Sequence, residues 1–383
     1  MIQIKGQFNT AKVFTDNLEE GAIAQIRELC NQEFTKGSVI RVMPDAHVGA
    51  GCTIGTTMTV TDKIVPNLVG VDIGCGIETI RLKQRELDLK KLDQIIHTNI
   101  PAGFNIRKRP HHYEKNIDFG RLLCKNHLDL NRARLSIGTL GGGNHFIEVN
   151  RDEDGDLYLV VHSGSRHLGK QVADYYQKLA YRELTGTSGG RQRKGRRRVK
   201  QKTGPVKISR HLAYLMGESY HNYLHDMRII QLYASYNRKA IVDEIINRMG
   251  LEVKEQFTTI HNYIDLDSMI LRKGAISAQE GEKIIIPINM RDGSILCLGK
   301  GNKDWNYSAP HGAGRLLSRR EAKRQLDLQE FKESMRGIYT TTATRSTLDE
   351  CALAYKPMDE IIDNIQDTAE VISILRPIYN FKG

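Results

Sequence analysis

No apolar run in this chain approaches the ~20 residues that a membrane-spanning helix needs. The opening residues Met1-Ile2-Gln3-Ile4-Lys5-Gly6 also lack the pattern of a secretory signal. A cytoplasmic enzyme or binding protein without a membrane partner is therefore expected. The six cysteines (Cys30, Cys52, Cys75, Cys124, Cys297, Cys351) contain no CxxC pair, so neither a disulfide framework nor a zinc knuckle is indicated. They read as reduced thiols, and only Cys75 has chemistry around it. No internal repeat is detectable, and a clean βαβ rhythm is missing, which favours α+β over a doubly wound parallel sheet.

What the chain has is enough material for a large core. Its 383 residues are 40% hydrophobic and 26% charged, close to ordinary soluble usage, and suffice for one large domain or two packed together. Ala22, Ile26, Leu29 and Cys30 fall on a helical stripe, as do Leu168, Val172, Tyr175, Tyr176 and Leu179. A long, mostly helical region is expected from about His211 to Met249. Ser318-Arg319-Arg320-Glu321 is a capping box that opens another helix, and one more is expected over Asp359 to Leu375. Strand-like runs are Thr57 to Val60, Ile77 to Leu82, Leu157 to Val161 and Ile284 to Ile288. The last turns through Asp292-Gly293 into Ile295 to Leu298.

Charge is unevenly spread. The formal net charge is +11, and eight cations lie in one stretch: Arg191, Arg193, Lys194, Arg196, Arg197, Arg198, Lys200 and Lys202. Gly186, Gly189 and Gly190 precede it and Gly204-Pro205 follows, so a flexible basic loop is expected at about 186–205. Such a loop suits the phosphate backbone of a nucleic acid, because each phosphate it neutralises releases counterions.

The stretch Gly70-Val71-Asp72-Ile73-Gly74-Cys75-Gly76 sets a carboxylate and a thiol three residues apart in a glycine-rich turn. Oxygen and sulfur at this spacing can reach one metal ion or share two. Taken alone, the turn equally suits an inert buried cysteine. Three histidines at element edges bear on the choice. His145 follows Gly141-Gly142-Gly143-Asn144, His162 ends a strand before Ser163-Gly164-Ser165-Arg166, and His261 leads into Asn262-Tyr263. Singly each suits a structural or surface role. Beside Asp72 and Cys75 they point to a metal centre of one carboxylate, one thiolate and three imidazoles, able to hold two ions if Cys75 bridges them.

A further histidine heads the small-residue loop His311-Gly312-Ala313-Gly314-Arg315. Exposed backbone amides and an arginine suit phosphate, and an imidazole there fits a nucleophile that carries a nucleotidyl group better than a ligand. Asp45, in Met43-Pro44-Asp45-Ala46-His47, is a candidate to hold one imidazole nitrogen and aim the other.

Together these segments resemble the RtcB family of RNA ligases from about Met43 to Gly383. Met43 to His47 is similar to the family's MPDxH segment and Gly70 to Gly76 to its GxDIGCG. Gly141 to Glu148 reads GGGNHFIE, His162 to Arg166 reads HSGSR, His311 to Arg315 reads HGAGR, and the chain ends Phe381-Lys382-Gly383. The resemblance implies one α+β domain over 1–383, with a large mixed-sheet, sandwich-like core surrounded by helices. It implies a GTP- and manganese-dependent enzyme that joins RNA ends bearing a 3′-phosphate or 2′,3′-cyclic phosphate to 5′-hydroxyl ends.

By the same resemblance, Asp72, Cys75, His145, His162 and His261 would hold two manganese ions, and His311, aimed by Asp45, would take GMP. The nucleotide contacts would come from Asn144 to Glu148 (Asn144, His145, Phe146, Ile147, Glu148), from His261 and Asn262, and from Pro287, Ile288, Asn289, Met290 and Ser294. Gly312, Ala313, Gly314, Arg315, Tyr355 and Lys382 would complete them. Manganese rests on the resemblance, since thiolate and imidazole bind zinc more tightly. Where many family members carry a PGSMGT-like segment, Ile288 and Arg291 replace glycines here, which together with the basic loop suggests a divergent subgroup with its own RNA target. A metal-dependent cyclic phosphodiesterase would need the metals but not His311, and a non-catalytic RNA-binding protein would need neither. The His311 segment and Lys382 argue against both.

Overall fold

A computed structural model describes residues 1–186 and 208–383. Seven strands form one sheet in the spatial order Val253–Ile260, Gly76–Leu82, Leu157–Ser163, Phe146–Arg151, Ala369–Lys382, Gly293–Gly299 and Lys283–Asn289. Every neighbouring pair is antiparallel. A six-stranded sheet runs Ile2–Lys5, Thr10–Val13, Ile40–His47, Ile54–Thr59, Ile270–Lys273 and Asn262–Asp265, and its second and third strands are parallel. With helices packed on these sheets, the architecture is α+β, as expected.

Side-chain parity in the larger sheet decides what faces the site. Successive residues of a strand point to opposite faces. Ile80, Leu82, Ile147, Val149, Leu159, Val161, Tyr379 and Phe381 pack in one cluster with Leu92 and Ile96 of the helix Leu89–Asn99. Ile241 and Ile245 of the 33-residue helix Gly217–Met249 join them. Ile77, Phe146 and Val160 point the other way and meet Ile285, Leu296 and Leu375 from the far strands. That contact between distant strands of one sheet requires it to curl, and the polar neighbours of these residues line the hollow.

The expected helices over Glu20–Cys30 and Arg166–Thr185 are present, as is the capping box at Ser318, which opens the short helix Arg319–Gln325. The expected helix from Asp359 to Leu375 is corrected. Helix Met358–Ile365 ends early, and Ala369–Lys382 is a 14-residue strand. Its β-branched Val371, Ile372 and Ile374 favour extended backbone. The first half of this strand pairs with Gly293–Gly299 and the second with Phe146–Arg151, across a register shift beside Pro377. The strand expected at Thr57 to Val60 runs instead from Ile54 to Thr59. The basic stretch Arg191 to Lys202 lies outside the described residues. Gly186 caps the preceding helix in the left-handed conformation, with φ of 68°. Among the described residues, no helix is long and apolar enough to cross a membrane.

Candidate active site

The turn that carries Asp72 and Cys75 leads into the strand Gly76–Leu82 and is clamped from several sides. Arg238, fully buried on the long helix, donates from Nη1 to the carbonyls of Gly74 at 2.7 Å and Ser163 at 3.2 Å. Gly76 allows the neighbouring strand to close in, since a Cβ there would lie 2.5 Å from the Thr259 carbonyl oxygen. Asn237 binds the amides of Gly138 and Thr139 and the carbonyl of Gly164.

Five donors converge as a result. Cys75 Sγ lies 3.4 Å from His145 Nε2 and 3.3 Å from His162 Nε2. His162 Nε2 is 3.4 Å from His261 Nε2, and His145 Nε2 is 3.0 Å from Asp72 Oδ2. The atoms form two triads, Cys75–His162–His261 and Asp72–Cys75–His145, each with all ligand atoms within 4.8 Å of one another. Cys75 belongs to both. The outer nitrogens are committed to backbone, His145 Nδ1 to Leu140 O at 2.9 Å and His162 Nδ1 to Asn144 O at 3.1 Å, which turns both Nε2 atoms towards the thiol. Ser165 donates to Asp72 Oδ1 from its amide at 2.8 Å and its hydroxyl at 3.0 Å.

The electrostatics fit a cation. Burial holds the imidazoles of His162 and His261 well below their ordinary pKa, which leaves them neutral with free lone pairs. Burial and the adjacent Asp72 charge push the Cys75 thiol well above its ordinary value. Burial works against the Asp72 carboxylate too, yet its hydrogen bond and charge pairing with His145 hold it well below the usual carboxylate range. A thiolate at Cys75 therefore needs a positive charge to replace its proton, which a divalent metal provides.

His311 adjoins this cluster, with its ring centroid 4.9 Å from that of His261. Asp45, fully buried in the strand Ile40–His47, accepts through Oδ2 from His311 Nδ1 at 2.6 Å and from the His311 amide at 3.1 Å. A carboxylate in that position favours the tautomer whose proton sits on Nδ1. Gly314, at φ of 76°, lets the loop wrap Asp45, because a Cβ there would lie 2.5 Å from its carbonyl oxygen.

His311 stands in a cleft of about 330 Å³. Asn144, Phe146 and Glu148 line one side, with Lys382 from the neighbouring strand. Pro287 to Met290 line another, and Gly312 to Arg315 with Tyr355 complete it. The Ile288–Arg291 departure forms a tight turn in which Asn289 Oδ1 accepts from the amides of Arg291 and Asp292. His145 and His261 belong to the candidate metal-ligand cluster and not to the cleft wall. Ile147 faces the opposite core, and Ser294 is fully buried behind Pro287. Asn262 supports the turn, donating to Asp72 O at 3.3 Å and accepting from Gly274 N at 3.0 Å.

The sequence reading missed four lining residues: His47, Ile54, Arg319 and Glu350. Glu350 gathers the cleft's cations, with Lys382 Nζ at 2.6 Å, Arg315 at 3.6 Å and Arg319 in contact. Burial disfavours its charge, but Lys382 and Arg319 bring its carboxyl down to about 2. His47 lies two residues from Asp45 in the Met43–His47 segment and Arg319 in the capping box, so both had a local signal; Glu350 had none.

This combination of a histidine held by a buried aspartate, five converging candidate metal ligands and a cation-lined cleft on an α+β frame defines a class. A family model described as tRNA-splicing ligase RtcB matches residues 25–123 and 124–383. RNA-splicing ligase RtcB of Escherichia coli K12 is 31% identical over 384 residues, covering 90% of each chain. The tRNA-splicing ligase RtcB of Aeropyrum pernix is 27% identical over 451 residues, covering 92% of this chain and 89% of that one. The chain belongs to the RtcB family.

Proposed function

We propose that the protein is a GTP-dependent RNA ligase that joins 3′-phosphate or 2′,3′-cyclic phosphate ends to 5′-hydroxyl ends, in RNA splicing or repair. The observation that carries this reading is the His311–Asp45 pair, 2.6 Å apart, set beside the metal-ligand cluster on the wall of a cleft. Asp72, Cys75, His145, His162 and His261 would hold divalent ions, two of them because Cys75 belongs to both triads, and manganese is the metal that the resemblance implies. When bound, the metals supply Lewis acidity that neutralises phosphate charge and makes a hydroxyl more acidic.

The chain's own groups do the rest. His311 Nε2 attacks the α-phosphorus of GTP, and the new P–N bond forms as the bond to pyrophosphate breaks. Asp45 stabilises the imidazolium that develops. Lys382, Arg315 and Arg319 meet the phosphates, and Glu148 offers a carboxylate to the N–H donors of guanine. An oxygen of the RNA 3′-phosphate then displaces the histidine and leaves RNA(3′)pp(5′)G. The 3′-phosphate thereby acquires GMP as a leaving group. The 5′-hydroxyl oxygen attacks the RNA-side phosphorus, loses its proton and expels GMP. A cyclic phosphate must first be opened by water.

Incubation with α-labelled GTP and manganese, followed by denaturing electrophoresis, tests the reading. A covalent guanylate is expected on the native chain and none on His311→Ala. No label with cyclic phosphate still opened would leave a phosphodiesterase, and no label with no RNA chemistry would leave a binding protein.

A further inference from the structure

Displacement at phosphorus places the attacking and leaving oxygens in line, on opposite sides. With GMP leaving into the His311 cleft, the 5′-hydroxyl strand needs a separate approach to the metal-ligand cluster. A second cleft, of about 420 Å³, opens there. Its wall includes Asp72 and His145, whereas the His311 cleft is walled by His162, and Asn144 belongs to both.

Its chemistry suits a nucleic-acid strand. Among the described residues, Arg132, Arg166 and Lys170 line it against a single carboxylate, Asp72. Arg166 is partly engaged, donating to Thr139 Oγ1 at 3.3 Å and lying 3.1 Å from His145 Nδ1, and Lys170 pairs at the rim with Asp174 at 2.6 Å. At the mouth stands Phe104, 94% exposed. Its loop is tied down all the same: Gly103 N donates to Gly141 O at 2.8 Å, Asn105 N to Ala102 O at 3.2 Å, and Arg132 Nη2 to the Phe104 carbonyl at 2.8 Å. An aromatic ring 94% exposed on a hydrogen-bonded loop, beside a cation-lined cleft that reaches the candidate metal ligands, has the character of a stacking platform.

We propose that this second cleft binds the 5′-hydroxyl RNA strand, with Phe104 stacking on its first base and Arg132 and Lys170 meeting its backbone phosphates. The proposal rests on the ligase reading and adds to it the place of the acceptor strand. Stacking on a ring face is sequence-tolerant, so discrimination among first bases is expected to be small.

The test is a 5′-hydroxyl oligonucleotide with 2-aminopurine as its first base and no 3′-phosphate, so that no ligation occurs. Binding to the native protein is expected to quench the probe. Phe104→Tyr keeps the quenching, while Phe104→Ala loses it and binds about 5- to 150-fold more weakly. In ligation assays Phe104→Ala raises KM for the 5′-hydroxyl strand and leaves both KM for the 3′-phosphate strand and His311 guanylylation unchanged. Undiminished quenching in Phe104→Ala overturns the proposal, as does a KM effect confined to the 3′-phosphate strand. Quenching needs neither GTP nor chemistry. A native protein that quenches but takes no guanylate overturns the ligase reading and leaves the strand site standing; one that takes guanylate without quenching does the reverse.

Discussion

Glu148 sits 3% exposed on the cleft side of its strand, where Asn380 Nδ2 donates to it at 2.5 Å. Burial pushes its carboxyl from the ordinary 4.5 up to about 7, against the opposing charge of Lys382. The folded protein therefore holds this proton more tightly than the unfolded chain does. The stability this contributes is complete below pH ~4 and is lost as pH rises through 7, by up to about 3 kcal/mol at ~1.4 kcal/mol per unit. Glu148→Gln removes the titration while keeping the shape. Melting temperatures measured from pH 5 to 8 should show the native protein falling relative to Glu148→Gln as pH rises. A gap that stays constant across that range would refute the assignment.

At the scale of elements, the site is built at junctions. Gly164 links the strand Leu157–Ser163 to the helix Arg166–Thr185, and a Cβ on it would lie 2.3 Å from Asp72 Oδ2. Gly164→Ala should push the carboxylate from its place beside His145 while leaving the helix and strand intact. Manganese affinity, read by titration calorimetry, is expected to fall about 10- to 100-fold, the usual cost of disturbing a ligand's support. An unchanged affinity would mean that Asp72 relaxes freely or takes no part. Junctions of this kind are legible in sequence, because glycines within two residues of His145, His162 and His311 mark them locally. What was not legible depends on remote partners. Whether Ile147 faces cleft or core follows from the parity of a strand whose neighbours lie far along the chain. The strand Ala369–Lys382 pairs with residues at least 70 positions away, beyond any local window, and the expected helix therefore ran on to Leu375. Arg238 and Asn237 look like ordinary positions of a long helix until that helix is laid against the Asp72–Cys75 turn and the Gly164 junction.

For the whole molecule the decisive quantity is charge. Removing residues 191–202 takes away eight cations and no acid, so the net charge drops from +11 to +3, by 11 − 8. The cationic side chains around the two clefts all lie outside this stretch, so they would remain. Two contributions to RNA binding can then be separated. Side chains in the clefts act at short range on the reacting ends, while a block of like charge acts on any phosphate within reach and is screened over about 10 Å at 0.1 M salt. Deletion of 191–202 should leave His311 guanylylation intact, weaken RNA binding at low salt, and flatten the slope of log affinity against log salt. The change is about 0.7 for each phosphate of a single strand that is no longer neutralised. Fluorescence anisotropy with a labelled RNA at several salt concentrations measures this slope. If it is the same with and without the stretch, the eight cations do not touch RNA, and affinity must come from the cleft residues alone.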